Sequence, residues 1–207
     1  MSGLRRLAAI LAADVAGYSR LMAADEAGTL ARLQGLRADV FDPAIARFHG
    51  NVVGSAGDSL LIEFASAVNA VQCAVELQEA LLLRNADLPE DRRMLFRMGV
   101  NLGDVIAGDG TIHGDGVNVA ARLEKLAEPG GVCLGHAIHD QVKGKLPYTF
   151  ADLGEQRLHN IPEPVRAYRV MSSASASAPS AKSSSRDMPL RDKPSIAVLP
   201  FTNMSGD

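Results

Sequence analysis

The apolar run Leu7–Ala13 ends abruptly on Asp14, and a second apolar stretch, Val52-Val53, passes through Gly54-Ser55-Ala56-Gly57 into Asp58. A run this short suits a buried strand and falls far below the roughly 18 apolar residues of a membrane span. Each aspartate therefore stands where a strand meets a turn. Strand ends in one sheet lie side by side, so two such carboxylates can converge on a hard cation. Aspartate is also common in turns for conformational reasons alone. Further along, Gly114-Asp115-Gly116-Val117-Asn118-Val119-Ala120-Ala121-Arg122 opens a helix, with Asn118 and Arg122 four apart on one face. Two acids for metal, joined by an Asn and an Arg on one helical face, point to phosphoryl or nucleotidyl transfer.

The rest of the pattern supplies a frame for these groups. Asn51–Val53 and Leu60–Phe64 read as a hairpin with Gly54–Asp58 at its turn. Leu95–Leu102 reads as a strand, and Val105–Ala107 returns from it. Val132–Leu134, Tyr148–Leu153 and Ala167–Met171 read as shorter strands. Asp25 and Glu26 start a helical stretch that ends at Gly50, with Pro43 expected to break or kink it. Ser66 is an N-cap for a helix carrying the stripe Val68, Val71, Val75 and Leu82. Asp115 or Gly116 begins the helix of Asn118 and Arg122, and His136–Val142 forms a short one. Consecutive strands that then alternate with helices predict an α+β sandwich with a mainly antiparallel sheet.

Composition narrows the function classes. The chain has 207 residues, 47% of them hydrophobic, which is enough for one domain with a sizeable core plus an appendage. A net charge of −3 gives no sign of a nucleic-acid or anionic-membrane surface. The two cysteines, Cys73 and Cys133, lack metal-like spacing and read as reduced thiols in a cytosolic protein. Arg5-Arg6 before Leu7–Ala13 mimics a short signal peptide, but the strand reading also explains Asp14. His113, His136 and His139 form no metal constellation with the cysteines, and His136 and His139 read as caps or decoration on a short helix. Asp104, Asp109 and Asp115 stand beside glycines and read as turn residues. The expected organisation is a domain over 1–171, a Ser/Ala-rich flexible linker over 172–193, and the start of a second α/β domain over 194–207.

Leu11-Ala12-Ala13-Asp14-Val15-Ala16-Gly17-Tyr18-Ser19 resembles the first metal motif of class III adenylate/guanylate cyclases, and Gly57-Asp58 resembles their second. Gly116-Val117-Asn118-Val119-Ala120-Ala121-Arg122 resembles their transition-state motif. The resemblance runs from about Leu7 to Val170, with the three motifs in the family's order. It implies a ferredoxin-like core, a mainly antiparallel sheet with helices on one face. It also implies two Mg²⁺ or Mn²⁺ per active site, held by Asp14, Asp58 and the backbone carbonyl of Val15. Asn118 would position the ribose, and Arg122 would neutralise charge growing on the α-phosphate. In the family these groups meet across a homodimer interface, which implies a homodimer. Residues 194–201 are similar to the first strand of the TolB-like domains that follow some such cyclases.

The substrate-binding positions depart from the family's pattern. The adenine-reading lysine falls on Gly54, which has no side chain to donate. The second base reader falls on Thr111. A phosphate-holding lysine aligns with His159, which lacks lysine's permanent charge. Arg157 lies two residues earlier. If that segment is a strand, Arg157 projects on the same side as His159 and supplies the charge. The expected function is a cytosolic adenylate cyclase acting on ATP as a homodimer, with no nucleic acid and no membrane segment. The alternatives are a weak or silent homologue that binds nucleotide to regulate an attached domain, and a pure dimerisation module.

Overall fold

The computed structural model describes residues 5–108 and 111–171. Eight strands make one sheet: β1 (Arg5–Val15), β2 (Asn51–Ala56), β3 (Ser59–Phe64), β4 (Phe96–Gly108), β5 (Thr111–His113), β6 (Val132–Gly135), β7 (Thr149–Gln156) and β8 (Val165–Met171). Their order is β2-β3-β1-β4-β6-β8-β7, with β5 paired to the end of β4. Every neighbouring pair is antiparallel except β4 with β6. The helices are α1 (Tyr18–Ala24), α2 (Glu26–Leu36), α3 (Asp42–Arg47), α4 (Ala67–Asn85), α5 (Asp115–Leu126) and α6 (His136–Val142).

The unbroken apolar run of β1 follows from its place inside the sheet. Ala8 to Ala13 are all buried, and alternate residues feed different cores. Ala9, Leu11, Ala13 and Val15 pack with Leu33, Phe41, Ile45, Val71, Leu77 and Ile138, from the helices of one face. Ala8, Ile10 and Ala12 pack with Val53, Val105 and Ala120 on the other. A strand covered on both faces reads as continuous hydrophobicity rather than alternation. The expectation of helices on one face describes α2–α4 and α6, whereas α5 lies on the opposite face.

Glycines let α5 lie directly on the sheet. A Cβ on Gly99 of β4 would overlap the Glu124 amide nitrogen and the Ala120 carbonyl oxygen. A Cβ on Gly103 would come within 2.8 Å of Gly116 Cα. Between them the buried Asn101 donates its Nδ2 to the Gly116 carbonyl at 3.1 Å, tying the helix N-terminus to the strand. This packing corrects the two-strand reading of Leu95–Leu102 and Val105–Ala107. Gly103-Asp104 is a close-approach site, not a turn, so β4 runs unbroken to Gly108 and β5 is the returning strand.

Other local signals hold in the fold or are bent by tertiary context. The Ser66 side chain accepts from Asn69 N, as an N-cap should. The Asp25 side chain likewise accepts from Gly28 N, so the helix begins at Glu26 as its acids suggest. Pro43 does not end the helical stretch. A π-helical turn over Arg37–Phe41 widens the helix before it, and Pro43 falls in the first turn of α3, where its missing N–H costs little. The α1 helix is absent from the sequence-based expectation; it begins after Gly17, which takes φ 71° and has no side chain to cap the helix. Strand β7 ends at Gln156, so Arg157 and His159 lie in the loop to β8 and strand alternation does not align them. The linker and second-domain expectations fall on residues 172–207, outside the described residues. Among the described residues, no helix is long and apolar enough to cross a membrane.

Candidate active site

The hairpin β2–β3 brings Asp58 to Asp14. Ala56 pairs with Ser59, leaving Gly57-Asp58 as a two-residue turn, and Gly57 takes φ 60°. Glycine is favoured at such a position because other residues pay a steric penalty there. Strand β3 is the antiparallel neighbour of β1, with Ala13 opposite Leu60, so the turn projects beside the last residues of β1. Val15 N–H donates to Asp58 Oδ2 at 3.2 Å, and Ser59 Oγ donates to Asp14 Oδ1 at 2.9 Å. Arg37 steadies the turn from outside: its guanidinium donates to Ser55 Oγ at 2.9 Å and to the Gly57 carbonyl at 2.8 Å.

The two carboxyl groups are close enough for Asp14 to affect the protonation of Asp58. Partial burial, then a hydrogen bond to Asp14 and Asp14's negative charge, push the Asp58 carboxyl up to about 6 from 3.8. Two half-buried acids side by side are unfavourable for the protein alone and suit a site that receives positive charge. Hard oxygen donors of this kind match Mg²⁺ or Mn²⁺.

Two further residues complete this charge cluster. Arg97 of β4 lies directly across the ladder from Asp14. Glu124 of α5 is 6% exposed, and burial first, then the charge of Asp14, push its carboxyl up to about 7. Arg97 Nε and Glu124 Oε1 are both buried without a hydrogen-bond partner among the described residues. The sequence offered a signal for each. Arg97 is one of two polar side chains in the stretch Leu95–Leu102, and Glu124 continues the i, i+4, i+8 stripe of Gly116 and Ala120 that faces the sheet.

The structure does not bring Asn118 and Arg122 onto this cluster. On α5 the buried residues are Gly116, Ala120, Leu123 and Glu124, whereas Asn118 is exposed and Arg122 half-buried on the outer side. Arg122 Nε donates to the carbonyl of His159 at 3.0 Å, which links the helix to the β7–β8 loop. The His159 and Arg157 side chains are exposed. Thr111 opens β5, where its Oγ1 lies 3.0 Å from His113 Nε2 and donates to the Gly108 carbonyl at 3.3 Å. Gly54 lies at an irregularity in the β2–β3 register and is not among the positive-φ glycines.

Raised acids make stability depend on pH in a definite direction. Asp58 and Glu124 hold their protons more tightly in the folded chain than in the unfolded one. Their contribution to stability is therefore present below about pH 4 and is lost as pH rises through about 6 and 7. In thermal melts without divalent cations, the wild type should lose stability between pH 5 and pH 8 more steeply than Asp58→Asn. Parallel melting curves for the two proteins would refute the assignment of that slope to Asp58.

Comparison with known proteins shows the family of the domain. A family model described as the adenylate and guanylate cyclase catalytic domain matches residues 5–172. A Rhizobium meliloti protein named "Putative adenylate cyclase 3" is 49% identical over 203 residues, 98% of this chain and 35% of that protein. The chain therefore spans about a third of that relative's length. The crystal structure of an adenylate/guanylate cyclase/hydrolase from Silicibacter pomeroyi superposes with a TM-score of 0.78 at 44% identity, covering 82% of this chain and 99% of that one. The adenylyl cyclase CyaB of P. aeruginosa shares the fold, with a TM-score of 0.73 at 22% identity over 84% of this chain and 97% of that one. With a family model matched from β1 through β8 and the two acids joined at the strand ends, the chain belongs to the adenylate and guanylate cyclase catalytic domain family.

Proposed function

We propose that this domain converts ATP to cyclic AMP and pyrophosphate as a homodimer. The observation that carries the reading is the meeting of Asp14 and Asp58 at adjacent strand ends, with the Asp58 carboxyl raised. Asp14, Asp58 and the Val15 carbonyl would hold Mg²⁺ or Mn²⁺. Bound there, the cations would lower the pKa of the ribose 3′-hydroxyl and screen the leaving phosphates. The 3′-oxygen attacks the α-phosphorus as the bond to pyrophosphate breaks, and the hydroxyl proton passes to solvent. Asn118 would orient the ribose, and Arg122 would offer its terminal amino groups to the α-phosphate oxygens. In this scheme α5 presents both groups to a partner chain, because its inner face is occupied by the sheet.

Turnover of ATP and GTP in Mn²⁺, with cyclic nucleotide and pyrophosphate measured together, tests the proposal. Cyclic AMP and pyrophosphate in equal amounts are expected. Nucleotide-dependent thermal stabilisation without turnover would instead select a silent, nucleotide-binding homologue. That second reading draws on Gly54 and His159, which stand where the family has lysines.

Gly54 gives a separate test of base recognition. A Cβ there would lie 3.3 Å from Leu61 Cβ, so a side chain fits after a shift of a few tenths of an ångström. Its φ is not left-handed, so no backbone strain opposes the change. Gly54→Lys should therefore fold and raise the preference for ATP over GTP by about tenfold, the worth of one net charged hydrogen bond. A folded variant with unchanged selectivity would show that the missing lysine does not limit base recognition.

A further inference from the structure

The expectation that the α6 histidines are surface decoration leaves out Asp140. His136, His139 and Asp140 occupy i, i+3 and i+4 on α6, so they project from one side of a single helical turn. His136 Nε2 is 3.2 Å from Asp140 Oδ2, and His139 Nδ1 is 3.4 Å from Asp140 Oδ1. One ligand atom from each of the three residues lies within 4.8 Å of the others. In a tetrahedral site with bonds of about 2.0–2.1 Å, neighbouring ligand atoms are about 3.3 Å apart. Each imidazole nitrogen lies about that far from one of the two Asp140 oxygens, His136 from Oδ2 and His139 from Oδ1.

A second element holds the two rings. Tyr168 of β8 stacks on His139 with ring centroids 3.7 Å apart and an interplanar angle of 5°. The Tyr168 hydroxyl lies 3.4 Å from His136 Nδ1, leaving Nε2 as the nitrogen turned toward Asp140. Phe150 also meets His139 edge-on, with centroids 5.3 Å apart. Outer partners of this kind orient imidazole ligands in metal sites. His139 Nδ1 is buried and has no hydrogen-bond partner among the described residues. Lys143 Nζ, 3.1 Å from Asp140 Oδ1, shows that the cluster already attracts a cation.

We propose that His136, His139 and Asp140 form a second metal site, for a borderline transition-metal cation such as Zn²⁺. Two imidazoles and one carboxylate suit Zn²⁺, Co²⁺ or Ni²⁺, whereas Mg²⁺ prefers oxygen donors, so this site and the Asp14–Asp58 pair select different ions. The bound ion replaces Lys143 beside Asp140 and leaves its fourth position to water. It clamps that turn of α6 against Tyr168, pinning the helix to β8.

Isothermal titration of the full chain with Zn²⁺, in excess Mg²⁺ to occupy the acid pair, tests the site. The wild type should take up one Zn²⁺ per chain, and H136A/H139A should lose that uptake. Tyr168→Phe keeps the stacked ring but removes the hydroxyl, and should weaken Zn²⁺ at least about tenfold. Asp140→Asn, which needs no repacking, should also lose the ion and covers the case in which the double histidine variant fails to fold. Equal uptake by wild type and Asp140→Asn, or wild-type affinity in Tyr168→Phe, would overturn the proposal. None of these readings depends on cyclase turnover.

Discussion

Asp14→Ala and Asp58→Ala will each lose metal-dependent cyclase turnover by about 10³-fold or more while remaining folded. A Lewis-acid cation contributes several kcal/mol to such a transition state, and each 1.36 kcal/mol is about tenfold in rate. Folding should survive because neither side chain belongs to the apolar core. Asp14 is half-buried at the end of β1, and Asp58 occupies a turn held by Arg37 and Gly57. Asp58→Ala removes a carboxyl raised first by burial, and Asp14→Ala removes the hydrogen bond and charge that add to that rise, so the cation-free variants should melt no lower than the wild type near pH 8. The check is turnover in Mg²⁺ and in Mn²⁺ beside circular dichroism and melting temperature. Wild-type activity in either folded variant would remove the acid pair from the reaction.

The acid pair was legible in the sequence because its two signals are local. An apolar run that stops on an aspartate, and a Gly-Asp turn between apolar strands, each show in a few consecutive residues. The pairing of β1 with β3 then brings the two together. Arg97 and Glu124 left only weak signals in the sequence, since each is polar for a reason that lies in another element. Arg97 faces Asp14 across a ladder, and Glu124 reaches the same cluster from α5, which packs on the face of Ala8, Ile10 and Ala12. The same distinction explains the misread turn at Gly103. Glycine next to aspartate is a turn signal in one dimension. Here Gly103 is small because Gly116 of α5 rests on it, and that requirement appears only when helix and strand meet. Pro43 failed as a stop signal for a related reason. The π-helical turn before it absorbs the mismatch, held by the burial of Val40 and Phe41 in the core. The histidines of α6 needed Tyr168, 32 residues away from His136, before their orientation acquired meaning.

Mixing Asp58→Ala with Arg122→Ala should restore activity that neither protein has alone. Within one chain, α5 turns Gly116, Ala120 and Glu124 to the sheet and carries Asn118 and Arg122 on its other side. Among the described residues, no hydrogen bond or ion pair joins Arg122 to Asp14 or Asp58; its Nε contact goes to the His159 carbonyl. Under the proposed homodimer, a complete site needs the acids of one subunit and the Asn118–Arg122 face of another, and a two-fold axis makes two such sites. In the mixed dimer one site holds both mutations, and the other keeps both acids and Arg122. With free exchange of equal amounts, half the dimers are mixed, and each has one intact site of two. Activity should recover to about a quarter of the wild type per chain. Arg122→Ala alone should fall about 10²–10³-fold, the usual loss for a removed transition-state donor, and Asp58→Ala alone by about 10³-fold or more. Subunit exchange can be followed separately with two fluorescent labels. Exchange without recovered turnover would place the acids and Arg122 in a site built from one chain, and α5 would then have to leave the sheet to complete it.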